Sequence, residues 1–298
     1  MCGTNKQLST EMKNEKAENL HEYSTKQIVQ LMNEEDKKVA LIVEEALPQI
    51  EKAIVSTVRA VEGGHRVIYF GAGTSGRLGV LDASECPPTF GVSTDLFQGV
   101  IAGGDRALRH AIEDAEDSEA SGAKDVMRYV HPGDVVIGIA ASGYTPYVLG
   151  AMKQARKTGN ETIGISCNGG TELSNLVDFP IELIVGSEIL TGSTRLKAGT
   201  SQKMVLNMIS TATMIQTGKV YKNLMVNVQA TNKKLRNRSI EIIKDIADVD
   251  EDTARKVNEE ADGDVKVSIL VLLLGISVDQ AKVKLEDCKG NIAKALSV

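Results

Sequence analysis

Between residues 24 and 238, short apolar runs alternate with stretches of helical periodicity. Residues 1–23 are polar and predict a loose, flexible arm. Ser24 and Thr25 are N-cap candidates for a helix over Ile28, Leu31 and Met32. From Lys37 to about Val61, the residues Val39, Ile42, Val43, Leu47, Ile50, Ile54 and Val58 recur at helical spacing, and Gly63-Gly64 ends the stretch. Arg66–Gly71 then reads as a buried strand. Gly99–Ala102, Asp134–Ala141, Thr162–Ser166 and Phe179–Val185 follow as further strands. The segments between them predict helices: an acidic one from Arg106 to Val130, one from Tyr147 to Thr158, and a long one from Arg195 to Thr217.

The strands are continuous apolar runs rather than alternating ones, and helices separate them. That combination predicts a parallel sheet covered on both faces, a doubly wound three-layer α/β fold. After about Arg238 the strand pattern stops. Residues 239–298 predict a small helical carboxy-terminal domain of three helices, split by acidic turns at Asp248-Val249-Asp250 and Asp262-Gly263-Asp264. The apolar run from Val267 reads better as a buried helix than as a strand.

Composition narrows the function classes. The chain has 298 residues, of which 42% are hydrophobic and 25% charged, as in ordinary globular proteins. A net charge of -6 argues against a general nucleic-acid binder, and 3% aromatics without Trp argue against a stacking platform. Cys2, Cys86, Cys167 and Cys288 form no CxxC pair, and His21, His65, His110 and His131 are equally scattered, so neither a metal site nor a disulfide framework is expected. The amino terminus is polar, and the most apolar run, Val267 to Val278, is too short to span a bilayer. The expectation is a soluble cytoplasmic protein that binds neither membrane nor nucleic acid.

Gly71-Ala72-Gly73-Thr74-Ser75-Gly76 follows a strand and opens a helix, and so fits the dinucleotide fingerprint. A dinucleotide site also needs an acid at the end of the next strand. Asp95 precedes that strand, and Ala102-Gly103-Gly104 carries no acid until Asp105, so the second requirement fails. What the loop does offer is hydroxyls beside helix-start N–H groups, a setting for an anion. Similar clusters follow two later strands, at Ser142-Gly143-Tyr144-Thr145 and Thr191-Gly192-Ser193-Thr194. In a parallel sheet these strand ends share one edge. Gly73, Thr74, Ser75, Ser142, Gly143, Thr145, Ser193 and Thr194 are therefore candidates for holding the phosphate and hydroxyls of a phosphosugar. Helix capping is the alternative use of the same side chains.

Residues 68–91, together with Gly138–Tyr147, Thr191–Thr200 and Lys219–Val228, resemble signature stretches of the N-acetylmuramic acid 6-phosphate etherases. The similarity runs from about Ser24 to the end. It implies a sugar-isomerase-type domain followed by a small helical one. It also implies cleavage of the lactyl ether at C3 of the sugar, without metal, nucleotide or other cofactor, in cell-wall amino-sugar recycling. The family is also similar to a phosphosugar-sensing regulator of glucokinase, and it implies a homodimer whose site borrows residues across the interface. Tyr144 departs from the pattern, because many members carry Arg there. The resemblance assigns Glu85 as proton donor and Glu116 as the second catalytic acid, 31 residues later.

Residue chemistry supplies reasons for both. Pro87 and Pro88 are expected to stop the helix just beyond Glu85, where the helix dipole would disfavour an anion and raise its pKa. Glu116 lies among Glu113, Asp114, Asp117 and Glu119, whose repulsion would raise at least one pKa in a base. Such a charge run is also what a solvated helix face looks like. Arg195 and Lys197 could neutralise phosphate or a carboxylate, or simply solubilise the surface. His65 and His110 read as structural or exposed, and Cys86 as a small buried filler. Two other readings remain open here: a non-catalytic phosphosugar sensor and an aldose–ketose isomerase.

Overall fold

The computed structural model describes residues 8–112, 114–227 and 233–297. Cys2, Glu113 and Val228 lie outside the described residues. The chain divides into two compact units, Met1–Ser84 with Asp95–Ser210, and Glu85–Thr94 with Thr211–Val298.

In the first unit, helix α1 spans Thr25–Glu45 and α2 Leu47–Glu62. Ser24 caps α1 in a reciprocal box with Gln27, whose side chain accepts the Ser24 N–H at 2.8 Å. The helical pattern expected to restart at Lys37 is in fact one helix from Thr25, and the break falls at Ala46, two residues before Pro48. Pro tolerates only the first turn, so a new helix starts there. Strand β1 (Val67–Gly71), helix α3 (Gly73–Phe90) and strand β2 (Phe97–Ile101) follow. Next come α4 (Arg106–Arg109), α5 (Glu119–Tyr129), β3 (Val135–Ile139), α6 (Pro146–Lys157), β4 (Glu161–Ser166), α7 (Glu172–Leu176), β5 (Phe179–Glu182) and α8 (Lys197–Gln216).

The five strands are all parallel, in the order β2-β1-β3-β4-β5, which bears out the doubly wound sheet. Every residue of β1 and β3 is buried. Ile68, Phe70 and Val136 face Val148, Leu149, Met152 and Leu173 of α6 and α7. On the opposite face a methyl group at Gly79 of α3 would come within 3.0 Å of Tyr69 and 3.2 Å of Ile139. Burying each such large side chain contributes roughly 1.5–3 kcal/mol. Helices α5 and α6 meet backbone to backbone: a methyl group at Gly122 would lie 1.9 Å from the Tyr147 carbonyl, and one at Gly150 2.0 Å from that of Glu119.

Three expectations for this unit need correction. The acidic stretch from Arg106 to Val130 is not one helix but α4, a 3-10 turn at Ala115–Asp117, and α5 capped by Ser118. Asp114 in the left-handed region (φ 65) interrupts it. The expected loose arm is packed at Ser9 and Thr10. Thr10 is fully buried, and Asn168 accepts the Ser9 hydroxyl at 2.8 Å and donates to the Thr10 hydroxyl at 3.0 Å. Helix α3 runs five residues past Glu85, through both prolines.

The second unit contains the end of α3 and, beyond α8, five further helices among the described residues rather than three. They are α9 (Lys233–Ala247), α10 (Glu251–Glu260), α11 (Val265–Leu274), α12 (Val278–Asp287) and α13 (Ile292–Ser297). The expected boundary at 238/239 falls inside α9. The Val267 run is helical: α11 is capped by Asp264, which accepts the Lys266 and Val267 N–H groups, and it ends at Gly275. Its buried residues pack with Ile240, Ile243, Leu285 and Ile292.

At the start of β3, Asp134 is 2% exposed and accepts the Arg66 guanidinium at 2.6 Å, the Arg66 N–H at 2.9 Å and the His131 N–H at 2.8 Å. Burial alone would raise its pKa, but these donors hold the carboxyl below the usual range. Its stabilisation is therefore present above the unfolded carboxylate pKa and is lost as pH falls through the folded one. Asp134→Ala is expected to lose about 3 kcal/mol at neutral pH by urea unfolding, with a deficit that shrinks on acidification.

Candidate functional site

The direction of the chain reverses across the sheet between β1 and β3. β1 is followed by its neighbour β2 on one side, and β3 then lies on the other. The loops leaving β1 and β3 diverge there, and a crevice at such a switch point is where ligands bind in open parallel sheets. Gly71 pairs with Ile139 in register, so both loops begin at the same level.

After β1, Gly73 (φ 52) and Thr74 open the long helix α3, with Gly73 exposed and Thr74 half-buried. Ser75 is buried instead, and its hydroxyl donates to Gln202 of α8 at 2.8 Å. After β3, the half-buried Ser142 accepts the Tyr144 N–H at 3.1 Å in a local turn. Gly143 (φ 77) leaves no room for a side chain, because a methyl group would lie 2.4 Å from Thr171. Thr145 precedes α6 and makes no side-chain cap bond. Tyr144 is 41% exposed. Asn168 braces this loop by donating to the Ala141 carbonyl at 3.1 Å.

Ser193 and Thr194 are half-buried just before α8. Gly199 of α8 joins the first and third clusters: a methyl group there would be 3.4 Å from Thr74 and 3.5 Å from the Thr194 carbonyl. The amino-terminal segment meets the third cluster, where Glu11 lies 3.2 Å from a methyl group placed on Gly192, and reaches the loop of the second through Asn168, which bonds Ser9 and Thr10. Of the eight expected binding residues, six keep accessible surface along this edge. Ser75 is committed to Gln202, and Gly143 is buried with its N–H on the Ala140 carbonyl and its own carbonyl accepting the Leu173 N–H, both at 3.0 Å.

Glu116 is exposed on its 3-10 turn. Gly103 beside it at the end of β2 has the Ala115 side chain within 3.3 Å of where a methyl group would sit. Glu85 belongs to the second unit and is exposed on α3. The dipole argument for it loses its premise, because the dipole acts within the last turn and that turn lies beyond Glu85.

Sequence reasoning missed three polar groups. Glu35, which it did not single out, is the partner of Lys197: that lysine, read as neutralising a phosphate or a carboxylate or as a surface charge, is 3% exposed and donates to Glu35 at 2.6 Å. Burial raises the Glu35 pKa, but Lys197 and Lys38 outweigh it and hold the carboxyl low. Glu188 receives the Lys197 and Ala198 N–H groups at 3.1 and 3.0 Å and so caps α8, while burial pushes its pKa up. It sits nine residues before the helix, outside any local capping pattern. Cys167 is inert, its thiol pushed up to about 12 by burial. Among the described residues there is no cluster of three potential metal ligands, and no helix is long and apolar enough to cross a membrane.

This fold and this edge define a sugar-isomerase-type (SIS) domain. The chain matches the SIS domain family over residues 115–212 and the glucokinase regulatory protein N-terminal SIS domain over 49–156. A phosphoheptose isomerase from Francisella tularensis shares the fold at TM-score 0.51 and 19% identity, covering 64% of this chain and 98% of that one. The particular family comes from closer relatives. An N-acetylmuramic acid 6-phosphate etherase of Geobacillus sp. (strain WCH70) is 52% identical over 97% of this chain and 98% of its own. One from Halalkalibacterium halodurans is 53% identical over 97% of each. The chain belongs to the N-acetylmuramic acid 6-phosphate etherase family.

The loop after β3 is expected to tolerate no side chain at its second position. Gly143→Ala should cost about 3 kcal/mol of stability, because strain and the clash with Thr171 add, whereas Gly186→Ala, equally left-handed at φ 69 but in open space, should cost about 1 kcal/mol. Urea unfolding of the two variants checks the difference.

Proposed function

We propose that the protein cleaves the D-lactyl ether of N-acetylmuramic acid 6-phosphate, giving N-acetylglucosamine 6-phosphate and D-lactate. The observation that carries this reading is identity above 50% to etherases over almost the whole chain. The hydroxyls of Thr74, Ser142, Thr145, Ser193 and Thr194, with the backbone at Gly73, hold phosphate and sugar, and Gly143 contributes by shaping the turn that presents Ser142 and Thr145. Ser75 contributes through its contact with Gln202.

An alkoxide is a poor leaving group, so the reaction proceeds from the open-chain aldehyde, whose C2 proton is acidic. Glu116 removes that proton while Glu85 protonates the lactyl oxygen as the C3–O bond breaks. The products of this half are D-lactate and a 2,3-unsaturated aldehyde. Glu85, now ionised, takes a proton from water as its oxygen adds at C3, and Glu116 returns a proton to C2. Both carboxyls end as they began. The family resemblance supports these roles, and exposure leaves both groups open to a ligand.

A cytoplasmic homodimer completes the reading. It is supported by three free cysteines, Cys86, Cys167 and Cys288, and by apolar residues left exposed on α1 and α2, namely Val29, Leu41 and Val55. The match to the glucokinase regulator favours one other reading, a phosphosugar sensor without catalysis.

Lactate release from N-acetylmuramic acid 6-phosphate separates them. Wild type should release lactate, and Glu85→Ala and Glu116→Ala should each fall by about a hundredfold or more. A folded wild type that binds the sugar phosphate and releases none would favour the sensor.

A further inference from the structure

The stretch Lys219–Val228 is among those that resemble the family signature, and its described residues belong to the second unit. Its residue Asn227 has a specific use within the second unit. Its side-chain amide donates to the Phe90 carbonyl at 2.6 Å and to the Gly91 carbonyl at 3.1 Å. These are carbonyls at the carboxyl end of α3, which no helical N–H can reach. The turn that ends there is short of its own bonds, because Pro87 and Pro88 have no N–H to give. The Gly91 N–H closes on the Pro87 carbonyl at 2.8 Å, with Gly91 left-handed at φ 59. A methyl group on Gly91 would lie 1.8 Å from the Asn227 carbonyl, so the two backbones meet with nothing between them.

From these contacts we infer that Asn227 is a positioning residue for Glu85, fixing from outside the helical turn that its prolines leave under-bonded. The inference rests on the proposed role of Glu85 as proton donor. Without the cap α3 frays from its end back to the turn that carries Glu85, which Pro87 and Pro88 leave without two of its own bonds, and the carboxyl loses its fixed approach to the leaving oxygen. Proton donation suffers while sugar binding, which uses other residues, does not. Misplacement of a catalytic group by about 1 Å can cost up to a hundredfold in rate.

The test compares Asn227→Ala, Asn227→Asp and Asn227→Gln in lactate release, with kcat and KM measured separately and the fold checked by circular dichroism. Asn227→Ala and the isosteric Asn227→Asp, which cannot donate, should lower kcat by about tenfold or more with KM changed less than about twofold. Asn227→Gln keeps a donor and should recover part of the loss. Wild-type kcat in a folded Asn227→Ala or Asn227→Asp, a loss confined to KM, or no recovery with Gln would overturn the inference. If Ala does not fold, Asp decides; if neither folds, the cap is a folding element and the inference fails. A wild type without lactate release, or an undiminished Glu85→Ala, would instead fault the underlying reading.

Discussion

The contact on which the first unit depends is between backbones. A methyl group on Gly71, at the end of β1, would lie 2.7 Å from the Gly76 nitrogen, and one on Gly76 would lie 2.6 Å from the Ile101 side chain. Farther along, a methyl group on Gly99 of β2 would come within 2.5 Å of Val80. Helix α3 therefore lies on β1 and β2 closer than any side chain allows. Because only Ala72 separates the strand from the helix, α3 begins at the sheet edge, level with the end of β3. The glycine fingerprint is explained by this packing and needs no dinucleotide.

Polar groups buried around the helices hold this arrangement. Asp82 of α3 accepts the Tyr69 hydroxyl at 2.8 Å and the Ser210 hydroxyl at 3.0 Å, tying the helix to β1 and α8, and burial raises its pKa. Glu188 caps α8, and Lys197 in its first turn is paired with Glu35 of α1. The start of α8, just after the hydroxyl-bearing loop at Ser193 and Thr194, is thus anchored.

Much of this was legible in the chain. The apolar runs located all five strands and their parallel direction, though not their order across the sheet, since a strand buried on both faces shows no alternation. The N-cap at Ser24 and the long helix α8 were equally visible. Most of the errors share a cause, in that long-range contacts override local signals. Pro87 and Pro88 sit inside a helix because Asn227 caps its end from 136 or more residues away. The polar arm packs because Asn168, far along the chain, accepts it. For Lys197 the chain left a bound anion, a carboxylate partner and a surface charge equally open, because its partner Glu35 is 162 residues distant. In the acidic stretch, the left-handed Asp114 broke a helix that composition alone favoured. For Glu85 and Glu116 the residue chemistry set no ranking above their neighbours, and family resemblance singled them out.

The central claim is that the ether breaks by elimination across C2 and C3. Running the reaction in deuterated water and examining the N-acetylglucosamine 6-phosphate by NMR tests it directly. Elimination and readdition predict deuterium at C2 of the product. Full retention of the original proton at C2, with lactate released at the normal rate, would point to direct displacement at C3 and contradict the account.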